Sequence, residues 1–241
     1  GCILQWIKRE KGLCGLKIKQ SHHIYAAVTI VCWSLAYVLT RLALVHFSSE
    51  ALGFLRYFVA SLALIVVVVL AKIRPPHKRD LPLLLASGAT GFFLYMIFCN
   101  KGMETVTAST SSVVIATVPV ITSLLARVIH RERLSVVQWV AIGIEFLGVV
   151  GLTLYNGVLS VNRGLIWLFL AAIALSLYNL LQRRLTQKYT GLQTAAYSIF
   201  LGTAMLLVFL PRAALEVRSA PMVTLVYIAL LGVFSSALAY V

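Results

Sequence analysis

The sequence predicts an all-α polytopic membrane protein, with eight transmembrane helices present of an expected ten, arranged as two inverted five-helix repeats. Three observations predict it: an apolar composition, eight long runs almost free of charge, and basic residues that gather on alternate loops. The chain has 241 residues, 61% hydrophobic and 12% charged, with a mean hydropathy of +0.95. Soluble domains carry about 25% charged residues and need them on the surface. The composition therefore excludes an ordinary soluble enzyme, a disordered chain and a disulfide-rich secreted module. Lipid is the solvent for most of this chain.

A spanning helix needs about 20 mostly apolar residues. Runs lacking Asp, Glu, Lys and Arg cover 20–40, 57–71, 81–100, 105–126, 134–162 (broken only by Glu145), 164–182, 189–211 and 219–241. The second is long enough if it starts near Ala51 and carries Arg56 inside it. None alternates apolar and polar residues as a barrel strand would.

Before span one lies a basic segment, 1–22, which suits either a helix on an anionic leaflet or foreign sequence. It lacks the apolar core and cleavage site of a signal peptide. Span one carries Trp33, Ser34 and Tyr37 near its middle. Span two holds Arg56 about five residues from its outer end, within reach of the headgroups by snorkelling. Arg56 also suits a vestibule for anionic groups, or a pairing with Glu104 or Glu145. Tyr95 occupies span three.

Span four is the most informative. Ala108, Ser112, Ala116, Pro119, Ser123 and Ala126 form a small-residue stripe, which fits close helix packing or a hydroxyl-lined path. Pro119 should kink the helix and free a carbonyl. In span five, Glu145 shares a face with Ala141, Gly148 and Gly151 or Leu152. A small face packs helix to helix, so Glu145 is expected to point into the bundle as a proton, cation or substrate site, or as a structural hydrogen-bonded group. Span six carries Ser176, Tyr178 and Asn179; span eight ends near Tyr240.

The loops set the orientation. Fifteen Lys and Arg fall in the N-terminal tail and after spans two, four and six; five (Arg41, Lys101, Arg163, Arg212 and Arg218) fall in the other loops. The split places the N-terminus in the cytoplasm of a multi-pass protein in the cell (inner) membrane. It also gives the net charge of +14 a topological meaning, so nucleic acid is not an expected partner. The four cysteines, Cys2, Cys14, Cys32 and Cys99, have no metal or redox spacing, and the five histidines sit near span ends. No metal, cofactor or enzymatic motif is expected.

An offset of 142 residues aligns spans one and two with six and seven, placing Ser34 on Ser176, Arg41 on Arg183 and Leu64 on Leu206. Span three falls on span eight at an offset of 144, with Tyr95 near Tyr240. Five spans separate the mates, so the second copy is inverted, as in alternating-access transporters. The reading expects a repeat at 23–155 and a second at 163–241 that holds three of its five helices, with two more beyond Val241.

The stretches CWSLAYVLTR, FLRYFVASL, FCNKGMETVTAS and, above all, VVIATVPVITSLLARVIHRERLSVVQWVAIGIEFLGVVGL resemble the EamA-like transporters of the ten-helix drug/metabolite transporter superfamily. The resemblance covers about residues 23–241. It implies secondary transport, often export, of small metabolites such as amino acids, or of drug-like solutes, through a central cavity. Protons or another coupling ion are candidate partners beside the substrate and the bilayer. A midspan glutamate at 145 is a departure from the family pattern. Nucleotide-sugar or phosphorylated-metabolite antiport stays open, although few deep Lys and Arg suit a polyanion. A non-transporting scaffold subunit also stays open.

Overall fold

The computed structural model describes residues 30–31, 33–130, 135–155 and 163–237. The basic segment 1–22 and Tyr240 lie outside them. The described residues form eight helices and no strand. These are α1 (33–43), α2 (Ser49–Leu70), α3 (Lys78–Thr105), α4 (Ala108–Ala116 and Val118–His130), α5 (Val136–Tyr155), α6 (Arg163–Leu185), α7 (Gly191–Ser219) and α8 (Met222–Leu230, continuing to Ala237). Among the described residues, five stretches within α2, α3, α4, α6 and α7 are long and apolar enough to cross a membrane.

Local chemistry sets the helix ends. The Ser48 hydroxyl accepts from Ala51 N (3.4 Å) and starts α2 at Ser49, with Glu50 in the positive first turn. Thr107 and Thr190 cap α4 and α7 in the same way. The kink expected from Pro119 appears as a break at Thr117 between the halves of α4. The run ending at 211 proves shorter than its helix. Pro211 sits at the first positions of a new segment, where its missing N–H costs nothing, and α7 continues to Ser219.

Two buried clusters hold the bundle. One joins α1, α2, α3, α7 and α8 around Phe54, Leu64, Phe92 and Leu206; the other joins α3, α4 and α6 around Cys99, Met103 and Leu168. Large side chains on the outside are apolar, as at Val66, Val128 and Val208, which suits a lipid surface.

Helices α2 and α7 cross where the sequence mates meet. Ser61 and Thr203, 142 residues apart, share a buried hydroxyl hydrogen bond of 2.9 Å. Leu64 and Leu206, at the same offset, are both fully buried. Gly88 of α3 lies against Ser198 and Leu201 of α7; Gly232 of α8, 144 residues later, lies against Arg56 and Val59 of α2. Arg56 and Val59 precede Ser198 and Leu201 by 142. Both α3 and α8 also contain a π-helical segment, Ala89–Leu94 and Leu231–Ala237.

Helix α5 departs from its expectation. Ala141, Gly148 and Gly151 are exposed, and a Cβ at either glycine would meet nothing within 4 Å. The small face is thus unpacked among the described residues, because α5 contacts the bundle mainly through the first half of α4. The side chain of Glu145 lies outside the described residues.

Polar ties close the two ends. At one, Glu50 faces Lys101 (3.3 Å) and Arg212 (3.7 Å), Arg212 also meets Glu216 (3.1 Å), and Glu216 accepts from Ser48 N (2.9 Å). At the other, Asp80 accepts from Lys188 (3.0 Å) and the Tyr189 hydroxyl (2.7 Å), while Gln193 donates to Arg74 O (2.7 Å). Residues assigned to opposite sides by loop charge therefore gather at opposite ends.

Candidate functional site

A cavity of about 530 Å³ lies among α1, α2, α3, α4, α6 and α8. Helix α1 contributes Trp33, Tyr37 and Thr40 at helical spacing, with Ser34 beside them. From α3 come Gly91, Tyr95, Cys99 and Met103, every fourth residue along one face. Ser112, Ala116 and Pro119 line it from α4, so part of the small-residue stripe borders open space instead of a helix. Tyr178 and Asn179 enter from α6, Arg56 and Tyr57 from α2, and Ser235 and Ser236 from α8.

Nine of the sequence candidates thus share one space: Trp33, Ser34, Tyr37, Arg56, Tyr95, Ser112, Pro119, Tyr178 and Asn179. Ser176 does not line it. It is buried and donates to Val118 O (3.2 Å), which fixes α6 against the break in α4. Glu145 is not placed, since its side chain is outside the described residues. Thr40, Tyr57, Ser235 and Ser236 were not anticipated. Thr40 could have been found from its spacing to Trp33 and Tyr37, and the serines as a polar pair inside an apolar run.

Aromatic packing shapes the floor. Phe92 meets Tyr57 (5.2 Å) and Tyr178 (5.1 Å) edge to face. The Tyr178 ring lies directly over Gly91, which has no side chain to obstruct it. Tyr37 and Tyr95 both line the cavity, from α1 and α3. At the Met103 end, Arg41 Nη1 donates to Met103 O and ties α1 to α3.

Among the described residues, Arg56 is the only charged one in the lining. Its guanidinium ties α2 to α8. Nε donates to Ser236 Oγ (2.7 Å) and Nη2 to Ser235 Oγ (3.1 Å), with Cζ 5.8 Å from the Tyr57 ring centre. Among the described residues, no group of three His, Cys, Asp or Glu side chains gathers to hold a metal. The volume falls in the ~300–1,000 Å³ range of small-molecule sites, and the lining joins aromatic walls, hydroxyls and one cation.

Comparison with known proteins fits this geometry. The profile of the EamA-like transporter family matches residues 20–154 and 162–241. Over 215 residues the chain is 29% identical to the uncharacterized transporter YdfC of Bacillus subtilis, covering 89% of this chain and 70% of that protein. Over 225 residues it is 31% identical to a Streptantibioticus cattleyicolor protein named a probable terminal-alkyne amino-acid exporter, covering 93% of this chain and 76% of that one. A crystal structure with 16% identity aligns over 89% of this chain and 76% of its own, at a TM-score of 0.56, which is a likeness of fold.

Proposed function

Because the chain belongs to the EamA-like transporter family, we propose that it is a secondary transporter that exports small organic metabolites, amino acids among them, by alternating access. The observation that carries this reading is the central cavity, where polar residues from six helices meet inside an apolar bundle. The Ser61–Thr203 contact and the matching environments of Gly88 and Gly232 support two inverted repeats, within 23–155 and 163–241, related by an axis between α2 and α7. Such an arrangement lets the halves exchange roles around a fixed site. The loop charges support a cytoplasmic N-terminus in the cell membrane. A name borne by one relative supports amino acids as cargo.

Counterflow of labelled solutes in proteoliposomes tests the reading. Ala116 borders the cavity and is exposed to it. Ala116→Trp should fill the space and abolish flux while the protein still folds. Unchanged flux in a folded Ala116→Trp variant would overturn the assignment of the cavity.

A further inference from the structure

The charge balance of the cavity narrows its cargo. Arg56 stands among hydroxyls and rings, and among the described residues no carboxylate lines the space with it. A guanidinium has five N–H donors. Ser235 and Ser236 take one each, which leaves three without a partner among the described residues. A charge at this depth is costly without a counter-ion, and two hydroxyls offset only part of the cost. A second polar group is also open. Thr40 also lines the cavity, is 1% exposed, and its Oγ1 has no hydrogen-bond partner among the described residues. Buried polar atoms are rarely left this way, which marks this wall of the cavity as short of a partner.

We propose that Arg56, Ser235 and Ser236 form an anion subsite that takes the carboxylate of a substrate with an apolar or aromatic body. The proposal rests on the transport reading above and names its substrate class. A bidentate carboxylate matches the guanidinium fork. A purely cationic solute would meet Arg56 with no acid beside it among the described residues. A polyphosphate would find one positive group where it needs several. The rings of Trp33, Tyr57 and Tyr178 suit the apolar body, and their faces also tolerate the ammonium of a zwitterion.

Four probes of one skeleton test this on the full chain: 3-phenylpropionate, phenylalanine, phenylalanine amide and phenethylamine. Binding is read from thermal stabilisation in detergent. The two carboxylates should bind, and the amide and the amine should not. Arg56→Gln should weaken carboxylate binding by about ten- to a hundredfold, and Arg56→Lys should keep part of it. The probe series on the unmodified chain needs no variant, so loss of folding in Arg56→Gln does not blunt the test. Amine or amide binding as tight as the carboxylates, or full affinity in Arg56→Gln, overturns the subsite. Counterflow with the same probes keeps the two readings apart. Flux of the amines alone overturns the subsite and leaves the transporter; absence of flux across a broad solute panel overturns the transporter.

Discussion

Replacing Gly88 by alanine tests a close approach of two helix backbones. The new Cβ would lie 2.7 Å from Ser198 O, 2.9 Å from Gly202 N and 3.2 Å from Leu201 Cβ. Ordinary contacts begin at 3.4 Å, so α3 and α7 must part by about 0.7 Å. The two nearest atoms are backbone, and no rotamer change relieves them. Overpacking of this kind costs about 1–3 kcal/mol, against about 0.5–1 kcal/mol gained by removing glycine from a helix. The separation would also stretch the neighbouring Ser87–Ser198 hydrogen bond of 3.0 Å. Gly148→Ala is the control, since a Cβ there meets nothing within 4 Å and only the helix gain remains. Cys99 is buried and free, so a thiol-reactive dye reports unfolding once Cys2, Cys14 and Cys32 are changed to serine. Gly88→Ala should unfold earlier than the parent, and Gly148→Ala no earlier. Equal melting of Gly88→Ala and the parent would refute the contact between backbones.

Ser61→Ala or Thr203→Val leaves the other hydroxyl short of a partner and should cost about 1–3 kcal/mol in detergent unfolding, and the double variant should cost less than the sum. Glu50→Gln leaves Lys101 and Arg212 side by side; it should lose about 1 kcal/mol at low salt, with the gap to the parent closing as salt rises. Pro119→Ala restores a donor at the break in α4. Stability should hold or increase while flux falls, measured by unfolding and counterflow on the same preparation.

The helices were legible because membrane depth punishes charge, so uncharged runs mark them one by one. Much of the cavity was legible for a related reason: Trp33, Tyr37, Arg56 and Asn179 stand out in such runs. Ser235 and Ser236 did not, because a serine in a membrane helix is ordinarily satisfied by its own backbone, as Ser235 is by Leu231 O at 2.7 Å. The face around Glu145 shows where pattern stops. Periodicity tells which residues of α5 share a side, but it does not say that a helix lies opposite. The end of α7 was misjudged because Arg212 looked like a membrane boundary, whereas Pro211 restarts the helix. The π-helical segments have no sequence signature in the chain.

Ser61 and Thr203 have one more property. Under the proposed inverted repeat, a bond between mates would lie on the axis that exchanges the halves, and exchange would carry the bond into itself. On that proposal its energy would enter the inward-open and outward-open conformers equally. Weakening it would lower the stability of the fold and leave the ratio of the two conformers where it was. The Glu50–Lys101 pair would lie off such an axis and have no such immunity. The central hydroxyl pair would then set how long the fold lasts, and the ties at its ends which way it faces.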